Sequence, residues 1–202
     1  MEGQAHFQYD AVIAFADLCV EAEAIGCELE VPENNYPYVK QPAMHSINDL
    51  SRLSVPDPNV SGRMPEVLKA VGILKENLGG QVPIVAHALA PLTIASRIMD
   101  IEKMLYMIVD EPDHFRELLN YTTEVALAFI KSLLNAGVDC IIMFDPSCSP
   151  AVLPISIFRE FELPNLINIC NFTKDYNPNI INWLTVAGAT PEMIKDLYQA
   201  KI

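Results

Sequence analysis

The sequence predicts an α/β protein, and two patterns along its 202 residues support this class. Apolar residues recur at helical spacing in some segments and form short continuous runs in others, so predicted helices and strands alternate along the chain. Residues 138–144 (VDCIIMF) are apolar and rich in branched side chains, as is typical of a parallel-sheet strand that is covered on both faces. The alternation fits both a doubly wound sheet and a (β/α)₈ barrel, and periodicity does not separate the two.

The first third of the chain predicts a helix, a short strand and a long excursion. Residues 7–25 carry apolar side chains at helical spacing, and Gly26 follows as a C-terminal stop, so we predict a helix there. Residues 27–31 then predict a short strand. Residues 32–64 are rich in Pro, Asn, Asp and Ser and predict a loop with a short helix at 46–53. Loops of this length are uncommon unless they serve a functional site.

Prolines at first helical positions and glycines after the last turn delimit the elements in the middle of the chain. The predicted order is a helix from Pro65 to Gly79-Gly80, a strand at 82–88, a helix from Pro91, a long helix at 112–135 ended by Gly137, and the strand at 138–144. Short joints between these elements are typical of β/α units, which supports the α/β class.

The last third predicts fewer regular elements. We expect a helix at 154–169 that Pro164 interrupts, a weak strand at 180–186, and a helix capped by Thr190 with Pro191 and Glu192 after it. With no repeat or long linker in the sequence, we predict a single domain over residues 1–202.

Composition excludes several classes of function. The chain carries 13 basic and 26 acidic residues, and its net charge of −13 repels nucleic acid and anionic membrane surfaces. No apolar run approaches the ~20 residues of a membrane helix, and no leader sequence begins the chain, so we predict a cytoplasmic protein without a membrane partner. Its 5 cysteines include no CxxC pair, which predicts reduced thiols and no closed structural zinc site.

The segment that follows the strand at 138–144 is the strongest candidate site. Parallel sheets place their functional residues at the carboxyl ends of strands, and Asp145 is followed there by Ser147, Cys148 and Ser149. We predict Asp145 as a catalytic carboxylate and Ser147 and Ser149 as substrate-binding hydroxyls. The alternative is that Asp145 caps the next helix or closes the Asp-Pro turn. Cys148 has no histidine nearby in sequence, which favours a core thiol over a nucleophile.

His87 is the second candidate, because it closes the predicted strand at 82–86. A histidine at this edge can act as a general base, a hydrogen-bond donor or a metal ligand, and we predict it as catalytic. The alternative is a structural histidine held by hydrogen bonds. Gly79-Gly80 matches no phosphate-binding motif, so a nucleotide site is not expected.

Several ordered segments resemble one known family. They are residues 20–28 (VEAEAIGCE), 55–58 (VPDP), 62–65 (GRMP), 90–95 (APLTIA), 136–139 (AGVD), 145–150 (DPSCSP) and 158–164 (FREFELP). Together they resemble the methylcobamide:coenzyme M methyltransferases of the uroporphyrinogen decarboxylase superfamily, well over residues 10–165 and weakly over 177–195.

The resemblance implies a partial (β/α)₈ barrel, a methyl-corrinoid substrate, a corrinoid protein as partner and zinc as cofactor. In that family a His-x-Cys pair and a later cysteine bind zinc, which makes a thiol into a thiolate that attacks the corrinoid-bound methyl group. Here Asn168 stands in place of the histidine, and only Cys170 remains as a metal ligand. By the same resemblance the chain looks truncated and internally deleted, and we do not expect it to bind zinc.

Two further functions remain open. One is a uroporphyrinogen decarboxylase, in which Asp145 and Ser147 would line the porphyrinogen pocket, although a net charge of −13 is unfavourable for a polycarboxylate. The other is a non-catalytic fragment or binding module. An incomplete barrel leaves sheet edges unpaired and apolar surface uncovered, so we expect such a chain to self-associate or to bind a partner.

Overall fold

Parallel strands form the centre of the computed structural model, which describes residues 2–188 and 191–200. The strands are β1 Val12–Ala14, β2 Glu28–Glu30, β3 Tyr38–Gln41, β4 Ile84–Leu89, β5 Cys140–Phe144 and β6 Ile181–Thr185. The main sheet has the order β1-β4-β5-β6, and each neighbouring pair is parallel. Strands β2 and β3 form a separate antiparallel pair. The main sheet is open, with β1 and β6 as its edges.

Helices connect and cover these strands. They are α1 Glu2–Phe7, α2 Val20–Ile25, α3 Met64–Leu78, α4 Pro91–Ile98, α5 Ile101–Asp110, α6 Pro112–Ala136, α7 Ile155–Ile157, α8 Leu163–Tyr176 and α9 Pro191–Gln199. Short 3₁₀ turns lie at Ile47–Arg52 and Pro146–Cys148, and a π-helical turn at Phe158–Glu162 joins α7 to α8. Helix α6 ends at Gly137, whose left-handed φ of 100° suits a residue without a side chain.

The helix predicted over residues 7–25 is wrong. The chain there forms the end of α1, then β1, then α2. Val12 and Ala14 pair with Ile84 and Ala86 of β4, so hydrogen bonding to a distant strand outweighs the local helical pattern. The predicted strand at 27–31 and short helix at 46–53 are confirmed as β2 and the first 3₁₀ turn.

Two boundaries also differ from the sequence-based expectation. Strand β4 runs to Leu89, so His87 lies inside the strand and does not close it. The helical run after Pro154 extends to Tyr176 because Pro164 occupies the second position of α8, where a missing N–H costs no helical hydrogen bond. Thr190, the predicted cap, lies outside the described residues, and α5 was not predicted.

The two faces of the main sheet have different surroundings. On one face, helices α3, α4, α6 and α8 bury a core that includes Phe115, Phe129 and Phe158. The other face carries apolar side chains that are more than half exposed at the edge strands, namely Ile13, Phe15, Ile181 and Trp183. We call these four residues the open apolar edge. Within residues 2–188 and 191–200, no helix is long and apolar enough to cross a membrane.

Candidate functional site at the carboxyl end of the sheet

Asp145 lies directly after β5 and is fully buried. Its Oδ1 accepts a hydrogen bond of 2.6 Å from the hydroxyl of Thr93 on α4, and its backbone N–H donates to the carbonyl of Thr185 at the end of β6. The position at a strand end is therefore as the sequence predicted. Burial raises the pKa of Asp145, while the hydrogen bond from Thr93 acts in the opposite direction.

Glu162 brings a second buried carboxyl group to Asp145. It is the last residue of the π-helical turn, and its Oε1 accepts a hydrogen bond of 3.3 Å from the N–H of Leu92. Burial, and next the charge of Asp145, raise its pKa well above the ordinary value. Among the described residues, Asp145 Oδ2 and Glu162 Oε2 are buried and have no hydrogen-bond partner. Burial therefore disfavours ionisation of both carboxyl groups.

The loop after Asp145 bonds to its own surroundings. The hydroxyl of Ser147 lies 2.9 Å from that of Ser96, and the buried hydroxyl of Ser149 accepts from the N–H of Ala151 at 3.2 Å. The thiol of Cys148 donates to the carbonyl of Asp145, and burial raises its pKa. A protonated, buried thiol is a poor nucleophile, which agrees with the core role expected for Cys148.

His87 lies between two aromatic rings. Its ring centroid is 5.1 Å from that of Phe15 and 5.6 Å from that of Phe144, and the side chain is buried. Burial lowers its pKa to about 4, so the imidazole is neutral at pH 7. Its Nε2 is enclosed and has no hydrogen-bond partner among the described residues. The structure thus keeps His87 apart from the hydrogen bonds around Asp145.

Cys170 lies on α8 inside the core. Burial raises its pKa to about 12, whereas a zinc ligand must be a thiolate. Among residues 2–188 and 191–200, no group of three or more His, Cys, Asp or Glu side chains could hold a metal ion. The described residues therefore do not fit the zinc site that the resemblance implies, and the role of Cys170 as a ligand stays a prediction without structural support.

A cavity of about 350 Å³ opens after β1, at the same edge of the sheet. Its walls come from the segment after β1, from the β2–β3 hairpin region and from α4: Phe15, Asp17, Leu18, Cys19, Asn35, Tyr36, Pro37, Tyr38 and Arg97. The long loop region predicted to serve a site therefore contributes to this cavity. A larger open cleft of about 440 Å³ is lined by residues of the first 3₁₀ turn, of α5 and of the start of α6.

Asp17 is the buried acid of this cavity, and it is held as an ion pair. The guanidinium of Arg63 contacts both carboxylate oxygens of Asp17 and also donates a 2.6 Å hydrogen bond from Nε to Glu23. Asp17 and Arg63 were not singled out from the sequence, because residues 7–25 were read as one helix. A strand assignment at 12–14 would have placed Asp17 just after a strand end, as Asp145 is.

Glu21 connects helix α2 to the end of strand β4 by a hydrogen bond. It is buried on α2, and its Oε1 accepts a 2.7 Å hydrogen bond from the N–H of Leu89, the last residue of β4. Burial raises its pKa to about 7. Four buried acids therefore stand at the carboxyl edge of the sheet: Asp17 after β1, Glu21 against the end of β4, and Asp145 with Glu162 after β5. Such an arrangement is typical of α/β enzymes.

Comparison with known proteins assigns the family. The chain belongs to the uroporphyrinogen decarboxylase (URO-D) family, whose profile matches residues 2–202. It is 32% identical over 148 residues to the methylcobamide:CoM methyltransferase MtaA of Methanosarcina barkeri, a match that covers 71% of this chain and 42% of the relative. It is 33% identical over 162 residues to a uroporphyrinogen decarboxylase of Nocardia farcinica, covering 77% of this chain and 44% of the relative.

A solved structure shares the fold. A methyltransferase from Methanosarcina mazei superposes with a TM-score of 0.88 at 27% sequence identity, over 98% of this chain and 57% of that protein. The predicted α/β class and the resemblance to this superfamily are confirmed. The sheet is that of an incomplete (β/α)₈ barrel, and the chain spans less than half the length of the curated relatives named above.

Proposed function

We propose that this chain provides the substrate-binding part of an enzyme that transfers a methyl group from a corrinoid to a thiol. The observation that carries the proposal is the joint likeness to a methylcobamide:CoM methyltransferase in sequence and to a methyltransferase in fold. The cavity after β1 supports it, because its volume of about 350 Å³ lies within the usual range of small-molecule sites. A cytoplasmic location and a corrinoid protein as partner are part of the same proposal.

In this proposal Asp145 and His87 remain the candidate catalytic residues, with Ser147 and Ser149 as substrate-binding candidates. The hydrogen bonds that Asp145, Ser147 and Ser149 form within the protein support a positioning role for these three residues. Asp145 is enclosed and accepts a hydrogen bond from Thr93, and Ser149 bonds to its own loop. His87, neutral at pH 7, has one buried nitrogen without a partner among the described residues, and a hydrogen bond from a ligand would satisfy it.

Zinc chemistry requires ligands that the described residues do not supply. We therefore expect the chain alone to retain less than one equivalent of zinc after dialysis against a weak chelator, and Cys170→Ser to leave the zinc content unchanged. Stoichiometric zinc that is lost in Cys170→Ser would contradict this expectation and would establish Cys170 as a ligand.

The decisive experiment is a chimera. The chain is fused to the portion of the M. barkeri methyltransferase that its match does not cover, and transfer from methylcobalamin to coenzyme M is followed through the corrinoid absorbance. We expect the zinc-loaded chimera to transfer the methyl group and the chain alone to be inert. A folded, zinc-loaded chimera without transfer would contradict the proposal. The same chimera with Asp145→Asn tests whether that carboxyl group is required.

Uroporphyrinogen decarboxylase is the second candidate. Relatives with this activity in their names include one from Carboxydothermus hydrogenoformans that is 25% identical over 92% of this chain. A net charge of −13 disfavours a substrate with several carboxylates, since the field around the chain repels it. Carbon dioxide release from uroporphyrinogen by the purified chain would favour this candidate over methyl transfer.

A non-catalytic binding module is the third candidate, and the open apolar edge favours it. We expect Trp183→Ser to lower both the binding of a hydrophobic dye and any self-association, because Trp183 is more than half exposed on edge strand β6. Tyr198→Ser is the matched control, since Tyr198 is even more exposed but lies on α9. A monomer whose dye binding is equally low in wild type and both variants would contradict this candidate.

A further inference from the structure

The arginines of this acidic chain differ in their partners. Four of the five form ion pairs with carboxylates: Arg52 with Asp49, Arg63 with Asp17 and Glu23, Arg116 with Glu160, and Arg159 with Asp196. Arg97 has no carboxylate within ion-pair distance among residues 2–188 and 191–200. In a chain with twice as many acidic as basic residues, a guanidinium without a counter-charge needs an explanation.

The position of Arg97 in the fold explains why it has no carboxylate partner. It lies in the last turn of α4 and lines the cavity of about 350 Å³ after β1. Its Nε is buried and has no acceptor among the described residues, which costs free energy until an acceptor is provided. The acid in the same cavity, Asp17, is not that acceptor, since among the described residues its oxygens bond to Arg63 and to the N–H of Cys19.

The chemistry of the walls defines the class of ligand. A guanidinium presents parallel N–H donors that match the two oxygens of a carboxylate. The same cavity is lined by the aromatic rings of Phe15, Tyr36 and Tyr38 and by the ring of Pro37. Such a combination suits a small molecule with one anionic end and one flat apolar end.

We propose that Arg97 anchors the carboxylate of a small ligand whose apolar part lies against Phe15, Tyr36 and Pro37. This inference names an anion site in the cavity and does not depend on which reaction the protein performs. The surrounding field of an acidic protein repels anions at long range, so an anion that binds here must do so through direct contact with Arg97.

Phenylacetate and its neutral analogue phenylacetamide test the proposal by titration calorimetry on the full chain. We expect phenylacetate to bind about 10- to 100-fold more tightly than phenylacetamide, as charge-assisted hydrogen bonds predict. Arg97→Gln should abolish this preference, and Arg97→Lys should retain part of it, because lysine keeps the charge but loses the paired donors. Arg52→Gln is the matched control, since it removes an arginine whose ion pair is on the surface.

Three results would overturn the proposal. They are equal affinity for the two probes, a preference that survives Arg97→Gln, and the absence of binding by either probe. Thermal unfolding of Arg97→Gln and Arg97→Lys shows whether each variant is folded. If Arg97→Gln is not folded, the binding preference is tested with Arg97→Lys instead. Because no turnover is measured, failure here is distinguishable from failure of the methyl-transfer proposal, which the chimera tests separately.

Discussion

The ends of β1 and β5 hold buried acids at the same edge of one sheet, yet they compensate for burial differently. After β5, Asp145 and Glu162 are enclosed together, and burial raises the pKa of both carboxyl groups. After β1, Asp17 forms an ion pair with the guanidinium of Arg63, and a cavity opens beside the pair. An enclosed carboxyl pair is held in place, whereas an ion pair beside a cavity leaves room for a ligand.

The difference shows that an aspartate just after a strand predicts a buried acid but does not predict how its charge is compensated. In both places the sequence has an aspartate near the end of a short apolar run, and both side chains are buried. Removing a charge from water costs several kcal/mol, so it must be neutralised or paired. Which of the two happens depends on whether a distant segment brings a cation or a second acid.

The largest expected effect is that of Arg63→Gln, which leaves Asp17 charged and without its cation. We expect a loss of about 3 kcal/mol in the free energy of unfolding at pH 7, measured with urea. Adding Asp17→Asn should recover part of the loss, because the buried charge is then gone. Arg52→Gln removes a surface ion pair and should cost less than about 1 kcal/mol. Equal losses in Arg63→Gln and Arg52→Gln would contradict the paired-charge description.

Glu21 offers the intermediate case, a buried acid without a cation or a second acid bonded to it. Its pKa of about 7 in the folded state is above the unfolded value of about 4.5, so the folded chain binds more protons between these pH values. The Glu21 contribution to stability is therefore present below pH 4.5 and is lost as pH rises through 7. We expect the wild type to lose up to about 3 kcal/mol relative to Glu21→Gln over that range. Parallel pH profiles for the two proteins would refute the shift.

Thr93→Val tests the enclosed pair after β5. The change keeps the volume but removes the hydroxyl that donates to Asp145 and accepts from the N–H of Ser147. We expect a loss of about 1–3 kcal/mol from the polar atoms that are left unsatisfied. Thr122→Val is the matched control, because Thr122 is equally buried but its hydroxyl bonds only to the carbonyl of Leu119 in its own helix. A loss in Thr122→Val as large as that in Thr93→Val would show that the Asp145 contact is not special.

The smallest expected effect is that of Glu162→Gln, and its size depends on pH. The amide can donate to Asp145 as a protonated Glu162 would, so we expect stability at pH 5 to be nearly unchanged. At pH 8 the wild type must keep a proton on Glu162 or bury its charge, and the variant should be more stable by about 1 kcal/mol. A variant that is less stable at both pH values would show that Glu162 is ionised in the folded protein.

Much of the fold was predictable because many signals are local. Proline and glycine positions gave the bounds of α6 and the start of α4, and the branched apolar run gave β5. Strand β1 was missed because its three residues are too short for a clear period and are stabilised by pairing with β4. Helix α5 was missed because its boundary with α6 is a single residue, Glu111.

Part of the candidate site was predictable for the same reason. Asp145, Ser147 and Ser149 follow a recognisable strand, so their place at the carboxyl edge of the sheet was foreseeable. Glu162 and Arg97 have no such signal, since each lies within a helical segment among apolar neighbours. Glu162 and Arg97 become candidate site residues only because of the side chains that surround them in the folded protein.

The sequence by itself determined the α/β class, the family likeness, the acidic surface and the acid at the end of β5, because these depend on composition and on neighbours along the chain. Only the tertiary structure decided that Asp145 is buried beside Glu162, that Asp17 is paired with Arg63, and that Arg97 has no ion-pair partner among the described residues. Those outcomes depend on contacts between residues distant in sequence, which decide how each buried charge is surrounded.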